Sequence, residues 1–303
     1  MEKVSLNSCV YTPYMRGVQQ NQNISAPAQT NVFAPSGLNS ANLDTVNIRS
    51  KKEIYLEKLN KLFPNGGIDR VYNEINKDFG IDKVPALKLC DENDGAAGGG
   101  YTFNKNEISL SLSDLLASDT KIVGIKDGKR TVITSPKVKL PLFIDQKTAQ
   151  YFIYAQSKKG NMGFDKLIAE PLTEDEQRKF ITQKISHEVI HAQQHQIMRE
   201  TEGIGEKEIF KAWAHYQPKN LIDEYIFNFR MDMIFPKTYW GNQPKTETKY
   251  SADSKEGQQA KVWLDAVQNY PRIDSEEYEK NAIERDAYDR SAQYADDKYG
   301  AWA

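Results

Sequence analysis

The chain has 303 residues, in which 40 lysine and arginine side chains nearly balance 42 aspartates and glutamates. This balance excludes strong attraction to nucleic acids or anionic membranes, and the absence of any run of about 18 apolar residues excludes a membrane-spanning helix. Cys9 and Cys90 are too few for a disulfide framework. Since the N-terminus lacks the apolar stretch of a secretory signal, we expect a cytoplasmic location by default, with a non-standard export route left open.

The first 48 residues differ in composition from the rest of the chain. They are rich in asparagine, serine, glutamine, threonine, alanine and proline and show no hydrophobic period. We therefore expect residues 1–48 to form a flexible tail. Residues 49–303 are predicted to form one domain, with helices and a sheet in residues 49–172 and a mainly helical half in residues 173–303.

Two short helices open the predicted domain. Apolar residues recur at helical spacing in residues 51–63 and 68–79, and the turn-forming sequence Pro-Asn-Gly-Gly separates the two segments. The apolar segment of residues 86–90 then leads into DENDGAAGGG, whose glycines predict a loop that ends at Tyr101.

A small sheet, at least partly antiparallel, is predicted to follow these helices. Residues 107–113 alternate strictly between large apolar residues and serine, which predicts a half-buried strand. KIVGI and RTVITS flank a segment that contains Asp127-Gly128, a strong signal for a hairpin turn. Pro141 favours an edge position for the next β segment, because proline cannot donate a backbone hydrogen bond.

A long helix is predicted to begin after Thr173. Thr173 and Glu176 have the spacing of a capping box, and neither glycine nor proline follows until Gly203, which offers a stop. Five apolar residues recur at helical spacing and form one stripe: Ile181, Ile185, Val189, Ala192 and Ile197. We therefore expect a long, amphipathic and central helix.

This helix carries the sequence His187-Glu188-Val189-Ile190-His191. Residues four apart on a helix lie about 6 Å apart along the axis and about 40° apart around it, so the two imidazoles can converge on one Zn²⁺. Glu188 lies about 100° around the helix, from where it can reach a zinc-activated water. The alternative is an exposed helix on which all three side chains are merely solvated.

A catalytic zinc site needs a third protein ligand and one position for water. His195 continues the series of histidines, but on a straight helix it lies about 6 Å beyond His191, out of reach of a zinc bound by the first two. The glycine that precedes the third histidine of metzincins is also missing. We therefore expect His195 to be a polar surface residue or a group behind the ligands.

A carboxylate from another helix is the expected third ligand. Glu284 and Glu224 share a similar local sequence, and we favour Glu284, because a small residue one turn later, Ala287, would let its helix pack closely. Glu224 is the second choice, followed by Glu206 and Glu208, and each of these glutamates could instead be an ordinary exposed helix charge.

The remaining C-terminal segments are aromatic, polar and helical in turn. The many aromatic residues of 210–240 favour a packed core over a substrate pocket. Residues 243–259 are predicted to form an exposed loop. The chain is then predicted to close with a helix from about residue 276 to residue 299.

Together, these motifs resemble the gluzincin branch of the zincin metallopeptidases over about residues 95–300. The resemblance implies an α+β, zincin-like fold, with a small mixed or antiparallel sheet packed on a central active-site helix. It implies zinc held by His187, His191 and Glu284, with Glu188 as the general base. It also implies that the strand around residues 108–112 is the sheet edge on which an extended peptide substrate lies.

One position departs from the resemblance. Many gluzincins have an acidic residue four positions after the glutamate ligand, where this chain has Tyr288, and its nearest acids are Asp286 and Asp289. The donor that stabilises the oxyanion is left open among four side chains: His215, Tyr216, Tyr225 and Tyr288.

We therefore expect a zinc metallopeptidase that hydrolyses peptide bonds in peptide or protein substrates by means of a metal-activated water. Two alternatives remain: a non-catalytic zinc-binding or scaffold protein of the same fold, and an effector peptidase with a single protein substrate.

Overall fold

Two small sheets and a set of helices around one long helix make up a mixed α+β architecture. A computed structural model describes residues 50–90, 99–103, 105–133, 143–213, 247–271 and 277–302. The predicted tail, the segment around Pro141, Glu224, and most of the aromatic segment lie outside the described residues. No helix in the described ranges has the length and apolar character needed to cross a membrane.

The first two helices confirm the predictions. Helix α1 (Lys51–Leu62) begins with a capping box at Ser50, and helix α2 (Gly67–Asp78) follows after a tight turn. Asn65, Gly66 and Gly67 all have positive φ, a conformation that asparagine and glycine adopt most readily. The apolar side chains of both helices pack into the core that also contains the middle of the long helix.

The first sheet is mixed and has three strands, β1 (Ala86–Cys90), β2 (Gly99–Thr102) and β3 (Glu107–Ser111). Their order is β1-β3-β2, with β1 parallel and β2 antiparallel to β3. The expectation that β3 is the sheet edge is therefore wrong, because β3 lies between the other two strands. Among the described strands, β2 is the edge beside the long helix, and its glycines had been predicted to lie in a loop.

Strand β3 is also two residues shorter than predicted. The hydroxyl of Ser111 accepts a hydrogen bond from the backbone N–H of Asp114, which caps a short helix, α3 (Leu112–Ala117). Leu112 is still fully buried, so the pattern was correct about the burial of its apolar residues although the backbone had already become helical, whereas Ser111 is buried as well.

Strand β4 (Thr120–Lys126) is the strand with which all the others of the second sheet pair. Strand β5 (Lys129–Val132) follows through the predicted hairpin, in which Asp127 and Gly128 both have positive φ. Two further strands, β6 (Phe143–Ile144) and β7 (Lys166–Pro171), also pair antiparallel with β4. Between β6 and β7 lie helix α4 (Gln146–Ser157) and a 3₁₀ turn (Asn161–Gly163).

The long helix α5 (Glu174–Arg199) begins at the predicted capping box of Thr173 and Glu176. It is central, but its amphipathic character was wrongly predicted, because polar side chains such as Thr182 and Gln194 are as deeply buried as the apolar stripe. Other elements cover the polar face of α5, so the pattern of exposure differs from the pattern of polarity.

Three more helices complete the described chain: α6 (Glu206–Trp213), α7 (Lys255–Gln268) and α8 (Ala282–Tyr299). Helix α7 begins inside the segment predicted to be a loop, since the hydroxyl of Ser254 caps it. Helix α8 begins later than predicted, after a 3₁₀ turn (Tyr278–Lys280). Helix α8 packs along α5, and α7 contacts both of them.

Candidate metal centre

Two helices bring the candidate ligands together. His187 and His191 lie one turn apart on α5, and Glu284 lies in the first turn of α8. The position of Glu284 is set by Asn281, whose side-chain oxygen caps α8 while its amide group donates to the backbone oxygen of Ala266 on α7. The cap therefore fixes where α8 begins, and Glu284 follows three residues later.

The three donor atoms are spaced as the corners of a small triangle. Nε2 of His187 lies 3.1 Å from Nε2 of His191 and 3.4 Å from Oε2 of Glu284, and Nε2 of His191 lies 3.5 Å from Oε1 of Glu284. Bonds of 2.0–2.1 Å in a tetrahedron place neighbouring ligands about 3.3 Å apart. These separations therefore fit a zinc ion. Among the histidine, cysteine and acidic side chains of the described residues, these three lie close enough together to hold a metal.

A side-chain relay orients His191. The amide oxygen of Gln194 lies 2.9 Å from Nδ1 of His191, and its amide nitrogen donates to Oδ2 of Asp286 at 2.8 Å. Because the amide oxygen can only accept, Nδ1 of His191 carries a proton, and Nε2 is the nitrogen that can bind a metal once its own proton is lost. The sequence had named Asp286 only as a nearby acid, and no sequence signal identified Gln194 as the link.

Glu284 also has a partner that the sequence did not predict. The hydroxyl of Tyr270, just past the end of α7, donates to Oε1 of Glu284. Burial raises the pKa of Tyr270 well above its ordinary value, and the nearby carboxylate adds to this, so the hydroxyl remains a donor. Oε2 of Glu284 is buried without a hydrogen-bond partner among the described residues, which fits an atom that faces a cation.

The charges of Glu284 and His191 depend on each other. Burial alone would raise the pKa of Glu284, but the two imidazoles outweigh it and hold this pKa well below its usual range. Burial alone would lower the pKa of His191, yet the carboxylate of Glu284 raises it to about 9. Without a metal, the pair is therefore a buried ion pair in which a proton takes the place of a cation.

Glu188 lies in the same pocket, with an exposed fraction of only 2%. The backbone N–H of Tyr101 on β2 donates to its carboxylate. Burial raises the pKa of Glu188, an effect that the imidazoles of His187 and His191 oppose and the charge of Glu284 reinforces. A carboxylate whose pKa is raised in this way is suited to accept and return a proton near neutral pH.

Two predictions about neighbouring side chains need correction or refinement. His195 is not a surface residue: it is 2% exposed and lines the same pocket, although its nitrogens lie outside the ligand group. Tyr288 packs its ring against His187, with the ring centroids 4.4 Å apart, so it supports a candidate ligand by contact.

Glu206 and Glu208, the other described candidates for the third ligand, do not join the histidines. Glu206 pairs with Arg199 at 3.5 Å, and Glu208 accepts a hydrogen bond from the backbone of Gly205. Glu224 and three of the four proposed oxyanion donors, His215, Tyr216 and Tyr225, lie outside the described residues. Of the glutamates that were considered and are described, Glu284 alone lies against both rings.

Comparisons of this chain with protein-family models, with curated proteins and with solved structures found no match. The interpretation of the site therefore depends on the geometry of its side chains.

Proposed function

We propose that this protein is a zinc-dependent metallopeptidase with a zincin-like fold. The observation that carries the proposal is the triangle of His187, His191 and Glu284, whose donor atoms have the separations of a zinc tetrahedron, with Glu188 in the same pocket. Two imidazoles and one carboxylate are the ligand set of several catalytic zinc sites, which leave one coordination position open.

Zinc fits this donor set better than a harder cation. Magnesium and calcium prefer oxygen ligands, whereas two of the three donors here are imidazole nitrogens. When bound, zinc supplies a Lewis acid that polarises a carbonyl group and lowers the pKa of water to about 7.

Glu188 is the proposed general base. Its carboxylate takes a proton from the attacking water and returns that proton to the leaving amine as the peptide bond breaks. The backbone N–H of Tyr101 holds the carboxylate in place during both transfers. The burial that raises the pKa of Glu188 brings it closer to the value at which both transfers are efficient.

Strand β2 is the proposed support for an extended peptide. Among the described strands it pairs only with β3, and Gly99 and Tyr101 line the pocket. An edge strand offers backbone donors and acceptors to a substrate chain, and glycine lets that chain approach closely. This role replaces the one first expected for β3.

A non-catalytic zinc site is the second candidate. The observation that favours it is burial, because His187, Glu188 and Glu284 are each no more than 4% exposed. A purely structural zinc has four protein ligands, whereas a catalytic zinc binds small ligands at its open position. Binding of a hydroxamate to the zinc-loaded protein therefore distinguishes the two.

The deciding experiment compares wild type with Glu188→Gln. Glutamine keeps the size of the side chain and an oxygen for the N–H of Tyr101, but it cannot take a proton. We expect both proteins to bind one zinc and only wild type to cleave a mixed peptide library. Equal cleavage by both would remove Glu188 from the mechanism, and zinc binding without any cleavage by wild type would favour the structural site. A lysate in which wild type cleaves one protein, with the library intact, would indicate a single-substrate peptidase.

A further inference from the structure

His195 lies in the pocket of the metal centre, one helical turn beyond His191 on α5. It is 2% exposed, and both of its ring nitrogens are buried without a hydrogen-bond partner among the described residues. Buried polar atoms nearly always have a partner, so an unpartnered imidazole that lines a pocket is a candidate to bind a ligand.

A metal ion is not that partner. The atoms close enough to hold a cation belong to His187, His191 and Glu284, and neither nitrogen of His195 is among them. One turn of helix separates His195 from His191 by about 6 Å along the axis, well beyond a coordination bond.

The ring of His195 is held by the edge of the first sheet. Tyr101 on β2 meets it edge to face, with centroids 6.0 Å apart, and the ring of Phe103 lies 5.5 Å away. A ring in contact with two other aromatic rings has few orientations open to it, which lowers the entropy cost of binding a ligand. Burial and the charge of Arg199 hold the pKa of His195 well below its usual range, so the imidazole is neutral and offers one donor and one acceptor.

The surroundings of His195 favour an uncharged ligand. Arg199, one turn further along α5, lies 3.5 Å from Glu206, which compensates part of its charge. Met198, which also lines the pocket, is apolar. A cationic side chain in this position would meet the charge of Arg199, and an anionic one would lose its hydration to face a cation that Glu206 already compensates in part, so either carries a high cost in free energy.

We propose that His195 determines substrate specificity by recognising a side chain that is uncharged and carries both a hydrogen-bond donor and an acceptor, namely a hydroxyl or a carboxamide. An extended peptide advances about 3.3 Å per residue, so a distance of about 6 Å places this side chain one or two residues from the bond that is cleaved. The proposal rests on the proposed peptidase function, because it assigns a preference to the same site.

The test uses the zinc-loaded full chain and peptides that differ in one residue near the cleaved bond. Threonine against valine, and asparagine against leucine, change the hydrogen-bonding groups with little change in shape. We expect wild type to prefer the polar member by about tenfold in kcat/KM at one position. The variant His195→Phe, which keeps an aromatic ring for the contact with Tyr101, should lose this preference, and His195→Gln should retain it.

Each result separates this proposal from the peptidase function. If wild type binds zinc but cleaves nothing, both proposals fail. If wild type cleaves without the preference, or His195→Phe keeps the preference, only the role of His195 is overturned. A zinc-loaded His195→Phe that cleaves nothing would place His195 in the reaction and would also overturn the specificity role.

A second measurement covers the case in which His195→Phe does not fold. In the zinc-loaded Glu188→Gln protein, the preferred peptide should shift the imidazole ¹⁵N resonances of His195, and the apolar partner peptide should not. Unchanged resonances with the preferred peptide bound would overturn the contact.

Discussion

His191 and His195 lie one turn apart on α5, in one pocket, yet their electrostatic surroundings are opposite. The carboxylate of Glu284 raises the pKa of His191 to about 9, whereas burial, together with the charge of Arg199, holds the pKa of His195 well below its usual range. The nitrogens of His191 meet Gln194 on one side and the His187–Glu284 pair on the other, while those of His195 have no partner among the described residues.

The difference teaches that the elements packed against α5, together with its own neighbouring side chains, set the chemistry of each imidazole, whereas helical position alone does not. Helix α8 brings a carboxylate to the turn of His191, and strand β2 brings an aromatic ring to the turn of His195. This contrast supports the two proposals, a cation at the turn of His191 and a neutral ligand at the turn of His195. Variants of the metal end (His187, His191, Glu284 and the side chains that hold them) should therefore change zinc binding, with His195 as the reference.

The largest expected effect comes from Glu284→Gln. Removing the charged ligand should reduce zinc affinity by about a thousandfold, more than the 10- to 100-fold typical for loss of a group behind a ligand. The pKa of His191 should also fall from its value of about 9, because its main counter-charge is gone. Competition with a zinc chelator measures the affinity, and NMR titration of the metal-free protein measures the pKa.

Glu206→Gln is the matched control for Glu284→Gln, since it neutralises a half-buried glutamate that pairs with Arg199 instead of the histidines. It should leave zinc affinity within about twofold of wild type. Equal losses in the two variants would mean that Glu284 has no special role in holding zinc.

The pH dependence of zinc binding should be the next largest effect. Zinc must displace the proton from His191, so apparent affinity should rise about tenfold per pH unit below pH 9, or about a hundredfold from pH 6.5 to 8.5. Calorimetry in buffers of different ionisation enthalpy should show release of about one proton per zinc at pH 7. Binding that does not change over this range would contradict the raised pKa.

The same titration predicts how the stability of the metal-free protein changes with pH. The folded-state pKa of His191 lies above the ordinary value of 6.5, so the folded protein binds more protons than the unfolded chain between these values. The stabilisation is complete below about pH 6.5 and is lost as the pH rises through about 9. Urea unfolding in the presence of a chelator measures the free energy of unfolding at each pH. Added zinc should abolish the decline of this free energy with rising pH.

A smaller loss is expected for Gln194→Leu, which breaks the relay from Asp286 to Nδ1 of His191. Zinc affinity should fall by about 10- to 100-fold, because the tautomer and the direction of the ring are no longer fixed. Gln196→Leu is the control, since the side chain of Gln196 bonds to the backbone of Gly80 and Asp82, away from the histidines and from Asp286. A similar loss in both variants would indicate damage to α5 instead of to the relay.

The smallest loss at the metal end is expected for Tyr270→Phe. It removes only the hydroxyl that donates to Glu284, and we expect zinc affinity to fall by about tenfold. His195→Phe, at the other end of the comparison, should leave zinc affinity within about twofold of wild type. If His195→Phe lost more zinc affinity than Tyr270→Phe, His195 would take part in metal binding and the proposed division between the two turns would be wrong.

Local features of the chain were predictable without coordinates. The capping box at Thr173, the uninterrupted run to the end of α5 and the Asp127-Gly128 hairpin were all confirmed. The layout of His187, Glu188 and His191 follows from the helical period alone. The choice between Glu284 and Glu224 could not be made in this way, and the reason for favouring Glu284 was a small neighbouring residue and a resemblance.

Three features of the site depended on how distant elements pack: the position of Glu284, its contacts and those of His191 with Tyr270 and Gln194, and the burial of His195. Helix α8 begins 91 residues after His191, and the glycines of β2 carry no strand pattern, so no period in the sequence marks their contacts with α5. Periodicity arises from backbone angles shared by neighbouring residues. The meeting of Glu284, Gln194 and Tyr270 instead depends on helix docking, which is a property of the folded whole.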